Sequence, residues 1–325
     1  MSLNQAAFDL VWPWLARADG IGAASTRHGA AWVLDCGVEA PGGSEAGLLM
    51  ARVALGGLGQ VSLATADEAA TAYGGLWNDL PWPAVSVSTA APVAACLAAQ
   101  YAGWKVSSGG YFAMASGPLR AAIGREDLFD TIGLRERPEV AVGLLETAQL
   151  PPDDVCRQLA DDAGVEPERL ILLVARTASM AGSLQVVARS LETALHKLHD
   201  LKFDLTRIVA GRGVAPLPPV PAKDLVAIGR TNDAILYGGC VVLEVTGDDA
   251  SLAEIGPRSV SGGSVAHGEP FLAMFERAGR DFFALDPAVF APAVLEFVNV
   301  ETGRRQRFGS LAADIVARSF HLAAP

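Results

Sequence analysis

One stretch of the chain, residues 170–199, joins a continuous apolar run to a helical pattern. Leu170 to Ala175 is apolar throughout, as in a strand buried on both faces, and it leads into a turn of small residues over 177–183. Beyond the turn, apolar residues recur at helical spacing and predict one helix over 182–199. The stripe that would face the core consists of Leu184, Val187, Leu191, Leu195 and Leu198.

A second stripe of this predicted helix is polar. It consists of Gln185, Arg189, Glu192, His196 and His199, at the same spacing and about a third of a turn round the axis. The stripe could be a solvated face, on which a pair such as Arg189 and Glu192 contributes only ~0.2–0.5 kcal/mol. It could instead border a pocket, and the pattern alone leaves both interpretations open.

Along the rest of the chain, patterns typical of strands and helices alternate, which predicts the α/β class with mixed sheets. A length of 325 residues is enough for two domains. We expect a discontinuous first domain, residues 1–90 with about 290–325, a second domain over 91–289, and a pocket at their interface. Residues 66–77 are expected to form a further helix.

The composition of the chain limits the kinds of ligand that the protein could bind and the cellular compartment in which it could act. Acidic residues outnumber basic ones, 36 to 25, so the formal charge is −11, which disfavours nucleic-acid binding and favours a cationic small molecule. Asp9 interrupts the first apolar stretch, so no signal peptide is expected. Prolines interrupt the uncharged stretch 80–104, which argues against a membrane span. We therefore expect a cytoplasmic protein that does not enter membranes.

Several familiar site motifs are missing from the sequence. Gly211-Arg212-Gly213 lacks the third glycine of a dinucleotide fingerprint, and neither GxxxxGK[ST] nor GxSxG occurs. His196 and His199 do not have HExxH spacing, and the four cysteines show no zinc spacing. We expect no metal and no tightly bound cofactor.

A set of short phrases, in order along nearly the whole chain, resembles the methenyltetrahydromethanopterin cyclohydrolase family. The phrases are Asp35-Cys36-Gly37-Val38, Glu45-Ala46-Gly47-Leu48-Leu49, Leu55-Gly56-Gly57-Leu58, Gln100-Tyr101-Ala102-Gly103-Trp104, Ser116-Gly117-Pro118, Thr177-Ala178-Ser179, Gly229-Arg230-Thr231-Asn232-Asp233 and Asp286-Pro287. No single phrase is decisive, but the ordered set is specific.

This resemblance implies a reaction and an assembly. The reaction is reversible hydrolysis of a cyclic 5,10-methenyl pterin, a tetrahydromethanopterin derivative that is substrate rather than cofactor, to the 5-formyl form. The assembly is a homotrimer of chains with two α/β domains and a pocket between them. The family's catalytic Arg and Glu, three residues apart on a helix, fall on Arg189 and Glu192.

The chemistry of the substrate agrees with that assignment. A methenyl bridge is an amidinium, already cationic and electrophilic, so it needs no metal to polarise it. It needs a base for the attacking water and an acid for the departing nitrogen, and one carboxylate can serve as both. We assign these roles to Glu192, with Arg189 as the cation that stabilises the ionised carboxylate and orients water or the carbonyl formed.

Substrate contacts are less specific. Asn232 and Asp233 could pair with a pterin ring, although they could equally form an Asx turn before a strand. Gln185 and Ser116 are further candidates. The richness in Ala, Arg and Gly indicates a bacterium of high GC content. With the family resemblance, it leads us to expect a methylotroph that oxidises formaldehyde. Rival interpretations are another pterin or folate one-carbon enzyme, a non-catalytic pterin-binding protein, and a structural oligomerisation protein.

Overall fold

The computed structural model describes residues 2–72, 77 and 79–321, which form strands β1–β12 and α-helices α1–α12. The strands are Ala24–His28, Ala31–Asp35, Gly59–Ala64, Ala84–Thr89, Trp104–Ser108, Tyr111–Ser116, Ala141–Glu146, Leu170–Ala175, Ile208–Pro216, Cys240–Val245, Val294–Asn299 and Arg305–Gly309. The α-helices are Leu3–Leu15, Ser44–Ala54, Ala66–Ala72, Leu119–Ile123, Leu128–Ile132, Asp153–Ala163, Met180–Val187, Ser190–Asp200, Asp224–Leu236, Asp249–Ile255, Phe271–Arg277 and Ala313–His321. A π-helix spans Val93–Gln100.

The chain divides into two compact units that are each discontinuous. One unit comprises residues 1–60 and 93–185, and the other comprises 61–92 and 186–325. These limits differ from the domain boundaries expected near residues 90 and 289. The reason is strand pairing: β3 and β4 join the same sheet as β9 to β12, so the segment 61–92 belongs with the C-terminal half of the chain.

The first unit is built on a mixed sheet of order β1-β2-β8-β7-β6-β5. Its middle strands β2, β8 and β7 are parallel, and the remaining pairs are antiparallel. All six residues of β8 are buried. Alternate residues of β8 pack with α1 and α2 on one face and with α6 on the other. Burial on both faces explains why β8 is apolar throughout.

The second unit is built on a mixed sheet of order β12-β11-β10-β9-β4-β3. Here β10 and β11 are parallel, while β9 is antiparallel to both β10 and β4. Helix α8 packs on β9 and β10, and its Leu191, Leu195 and Leu198 are fully buried. Two sheet-based units, each with helices packed against it, confirm the predicted α/β class.

Two local predictions concern the helix expected over 66–77 and the turn considered at Asn232 and Asp233. The helix expected over 66–77 is observed as α3, Ala66–Ala72, and residues 73–76 lie outside the described residues. The Asx turn considered for Asn232 and Asp233 is wrong, because both residues lie inside α9, Asp224–Leu236. Helix α9 packs against α11 and α12, and these tertiary contacts favour helix over the turn that Asn and Asp prefer locally.

The central position of β8 yields a stability prediction. Leu173 of β8 is fully buried, so Leu173→Ala should lower the free energy of unfolding by about 2–5 kcal/mol through lost burial and a cavity. The matched control is Leu10→Ala in α1, where the leucine is 36% exposed and the expected change is within about 0.5 kcal/mol. Urea unfolding of the two variants and the wild type measures both. Equal losses for the two variants would show that β8 is not the centre of the core.

Candidate active site

The turn between β8 and α7 is held by hydrogen bonds from small side chains. Ser179 Oγ accepts from Gly182 N at 2.9 Å and donates to Arg176 O at 2.8 Å, and Ser183 Oγ donates to Thr177 O at 2.9 Å. A Cβ on Gly182 would lie 1.9 Å from Arg176 O, so only glycine fits there. The bond from Gly182 N satisfies an N–H group that the start of a helix leaves unpaired, and the other two bonds satisfy carbonyl groups of the turn. Together they explain the run of small residues.

The single helix predicted over 182–199 is two helices with a break. Helix α7 ends at Val187, Ala188 and Arg189 form a turn, and α8 begins at Ser190. Arg189 has φ −88° and ψ 5° and occupies the N-cap position of α8. Its carbonyl accepts from both Thr193 N, at 2.9 Å, and Thr193 Oγ1, at 3.0 Å. Glu192 consequently lies in the first turn of α8, where the helix dipole favours a negative charge.

Arg189 and Glu192 form an ion pair that is almost entirely buried. Arg189 Nη2 donates to Glu192 Oε2 at 3.1 Å, and the side chains are 12% and 5% exposed. The solvated-face interpretation is therefore wrong for these two residues. Removing one partner of a buried pair leaves an uncompensated charge and costs about 3–5 kcal/mol, so each residue depends on the other.

The break divides the remaining polar stripe into residues with different surroundings. Gln185 in α7 is buried, whereas His196 and His199 in α8 are partly exposed. His196 Nε2 lies 3.8 Å from Asp200 Oδ1. Burial lowers the pKa of His199 below its ordinary value. Within the predicted polar stripe, burial is thus greatest in the first part, and the two histidines lie towards the solvated end of α8.

Asn232 and Asp233 are neighbours in α9 with different contacts. Asn232 Nδ2 donates to Ile228 O, one turn earlier, at 2.9 Å. Asp233 is fully buried, and its Oδ1 accepts from Phe271 N, the first residue of α11, at 2.7 Å. Burial raises the pKa of Asp233 to about 7, against the lowering effect of the Ser319 hydroxyl and the Phe271 N–H. The geometry gives Asp233 a structural bond to α11.

Ser116 ends β6, where it is buried and paired with Leu144 of β7. It lies in the first unit with Gln185, whereas Arg189, Glu192, Asn232 and Asp233 lie in the second. Of the six residues predicted from the sequence, the hydrogen bonds bring together Arg189 and Glu192.

Asp35 is a buried carboxylate that the sequence reasoning did not single out. Its Oδ1 accepts from Gly37 N at 2.9 Å and Val38 N at 2.7 Å, and its Oδ2 accepts from Glu39 N and Ala40 N at 2.8 Å each. One side chain thereby holds residues 37–40 of the loop after β2. An Asp followed by a glycine-rich stretch is the signal that could have revealed it.

Two further buried polar residues in α8 also escaped prediction. Lys197 is 5% exposed, and its Nζ donates to Pro287 O at 3.4 Å; burial lowers the pKa of Lys197, against the opposing effects of Asp200 and Asp286. Ser190 is fully buried, and its Oγ has no hydrogen-bond partner among the described residues. Neither could be assigned from periodicity, because both fall outside the polar stripe.

Two kinds of feature are missing from the described part of the chain. It contains no group of three or more His, Cys, Asp or Glu side chains that could hold a metal ion. Among residues 2–72, 77 and 79–321, no helix is both long and apolar enough to cross a membrane.

Comparison with known proteins places the chain in a family. The family model described as Cyclohydrolase (MCH) matches residues 2–320. Three relatives named methenyltetrahydromethanopterin cyclohydrolase are similar over most of both chains. The protein of Rhodopirellula baltica is 45% identical over 298 residues, 89% of this chain and 86% of that one. The protein of Methylobacillus flagellatus is 41% identical over 291 residues, which cover 89% of this chain and 86% of that one. The protein of Methanosarcina barkeri is 40% identical over 293 residues, which cover 89% of this chain and 88% of that one. The chain belongs to the cyclohydrolase (MCH) family.

The buried carboxylate of Asp233 yields a prediction on pH dependence. Because the native pKa of about 7 lies above the ordinary value of 3.8, the native state retains a proton that the unfolded state loses. The contribution of Asp233 to stability is thus fully present below about pH 4 and is lost as the pH rises towards about 7, at up to ~1.4 kcal/mol per pH unit. An asparagine cannot ionise, so Asp233→Asn should remove this loss. The free energy of unfolding of the variant should therefore rise relative to that of the wild type between pH 5 and pH 8.

Unfolding free energies of the wild type and Asp233→Asn, measured at both pH values, test this prediction. The control is Asp19→Asn, at an exposed position, which should leave the pH dependence of stability unchanged. If the wild type and Asp233→Asn lose stability in parallel between the two pH values, Asp233 does not titrate in this range.

Proposed function

We propose that the chain hydrolyses 5,10-methenyltetrahydromethanopterin, or its dephospho form, reversibly to the 5-formyl compound. Membership of the cyclohydrolase (MCH) family, and relatives whose printed name is methenyltetrahydromethanopterin cyclohydrolase, support this reaction. Within the chain, the observation that carries the proposal is the buried ion pair of Arg189 and Glu192 at the start of α8.

The charge of the pair suits a cationic substrate. The methenyl carbon lies between two nitrogens that share a positive charge, so a carboxylate stabilises it and a lone guanidinium would repel it. Paired, Arg189 and Glu192 are neutral overall, and the ionised Glu192 is available to act as a base. The formal charge of −11 on the chain also attracts a cationic ligand at long range.

The reaction requires one carboxylate and balances in protons. Water adds to the methenyl carbon as Glu192 removes one of its protons, which gives a neutral carbinolamine. Glu192 then returns that proton to the departing ring nitrogen as the carbon–nitrogen bond breaks. The hydroxyl proton leaves as the formyl carbonyl forms, so one proton is released overall. General acid–base catalysis of this kind contributes about 10²–10⁴-fold to rate.

Arg189 would serve the same steps without exchanging a proton. Its guanidinium balances the carboxylate before water is attacked, and it presents N–H donors to the oxygen that becomes the carbonyl. The N-cap position fixes the backbone of Arg189, since its carbonyl accepts two hydrogen bonds from Thr193. The backbone of Arg189 is thus restrained by Thr193, and its guanidinium by the hydrogen bond to Glu192 Oε2.

The wider setting is part of the same proposal. We propose that the enzyme acts in the cytoplasm, as a homotrimer, in one-carbon metabolism that oxidises formaldehyde in a methylotroph. Relatives of the same printed name come from Methylobacillus and Methylobacterium. Asn232, Gln185 and Ser116 stay predicted substrate contacts, and so does Asp233, beside its bond to Phe271 N. No tightly bound cofactor takes part in the proposed steps.

Replacement of Glu192 tests the proposed function. Glu192→Gln keeps the shape of the side chain but cannot accept the proton, so kcat should fall by about 10²-fold or more. The measurement is the loss of methenyl absorbance with wild type and variant, with circular dichroism to confirm folding. The matched control is Glu254→Gln, an exposed position in α10, which should retain full activity.

Each other outcome has a definite meaning. Near-normal turnover by folded Glu192→Gln would refute its role as base. Wild-type protein that binds the methenyl pterin without hastening its hydrolysis would be a non-catalytic pterin-binding protein. Activity that depends on a nicotinamide cofactor, or that prefers the methenyl folate analogue, would identify a different one-carbon enzyme.

A further inference from the structure

Strand β9 carries two glycines, Gly211 and Gly213, that the proposed function leaves unexplained. Glycine in a strand interior weakens the strand, and it often marks a place where another backbone approaches closely. Residues two apart in a strand point to the same face, so both glycines leave one face of β9 bare. Helix α8 packs against this strand.

The bare face of β9 receives the first turn of α8. A Cβ added to Gly213 would lie 2.6 Å from Ser190 Oγ and 3.0 Å from Leu191 N. A Cβ added to Gly211 would lie 2.7 Å from Leu191 Cδ1 and 3.0 Å from Leu243 Cδ2. The first turn of the helix therefore lies directly on the strand, with no side chain of β9 between them.

On the helix side of this contact lies Ser190, a small residue whose buried hydroxyl lowers stability. Ser190 is fully buried and its Oγ has no hydrogen-bond partner in the described part of the chain. A buried hydroxyl without a partner costs about 1–3 kcal/mol. Ser190 follows Arg189 directly and precedes Glu192 by two residues, so the position of Ser190 against Gly213 sets the position of the ion pair.

We propose that Gly213 is a positioning residue for the proposed reaction, because its missing side chain allows the first turn of α8 to seat on β9 and so fixes Arg189 and Glu192. This inference rests on the proposed role of the pair. Gly213 matters more than Gly211, because a Cβ at 213 meets Ser190 Oγ at 2.6 Å and the backbone nitrogen of Leu191 at 3.0 Å, and relieving both contacts requires the first turn of the helix to move. A Cβ at 211 meets the ends of two leucine side chains, which can change rotamer.

The test compares Gly213→Ala with Gly211→Ala. Gly213→Ala should displace the first turn of α8 and lower kcat by about 10- to 100-fold with little change in KM, since a displacement of about 1 Å can cost 10²-fold. Gly211→Ala is the matched control, with the same substitution on the same face of the same strand. It should lose a similar amount of thermal stability but less than about threefold in kcat.

A second variant separates position from folding. Ser190→Ala in the Gly213→Ala background removes the 2.6 Å contact and should recover part of the lost kcat, whereas Ser190→Ala alone should be no less stable than wild type. If Gly213→Ala is not recovered folded, Ser190→Thr is used instead. It adds a methyl group on the helix side of the same contact and is expected to lower kcat in the same way.

Three results would overturn the proposal: full activity of folded Gly213→Ala, equal kcat losses in both glycine variants, or no recovery in the double variant. Wild-type protein is assayed first on the methenyl pterin. If the wild type is inactive, the proposed function fails. If the wild type is active and one of these three results is observed, only the positioning role of Gly213 fails.

Discussion

The buried ion pair between Arg189 and Glu192 is the interaction on which the rest of the site depends. A carboxylate with 5% of its side chain exposed is tolerated only with a partner, since an isolated buried charge costs several kcal/mol. Nearby, Arg189 fills an N-cap position, Glu192 lies in the first turn of a helix, and Thr193 bonds back to the Arg189 carbonyl. Each of these features restrains the backbone that carries the pair.

The surrounding fold supplies rigidity rather than chemistry. In the second unit, buried leucines fix α8 to its sheet, and two glycines of β9 bring the strand backbone close to its first turn. In the first unit, a strand buried on both faces leads into a turn closed by Ser179 and Ser183. The role proposed for Glu192, taking and then returning a proton, requires such fixed surroundings, because misplacement is costly in rate.

Sequence reasoning found the pair and the class but missed the local geometry that holds the pair. Apolar periodicity predicted the core stripe, and the i,i+3 spacing with the family resemblance selected Arg189 and Glu192. The break at Ala188 and Arg189 could not be predicted, because both residues are good helix formers and the break coincides with tertiary contact between α8 and β9. For Asn232 and Asp233 the sequence allowed a turn where the structure has a helix, since packing of α9 against α11 and α12 overrides their preference for turns. The limits of the two units differ from the expected domain boundaries, because β4 pairs with β9, far along the chain, and carries β3 into the same sheet.

The most direct test of the central claim is the kcat of the double variant Arg189→Met/Glu192→Gln, set beside the two single variants. If the pair acts as one unit, removing the second partner adds little, and the double variant should fall within about threefold of Glu192→Gln alone. If the two single losses multiply instead, Arg189 and Glu192 act independently, and the account of a single catalytic pair is contradicted.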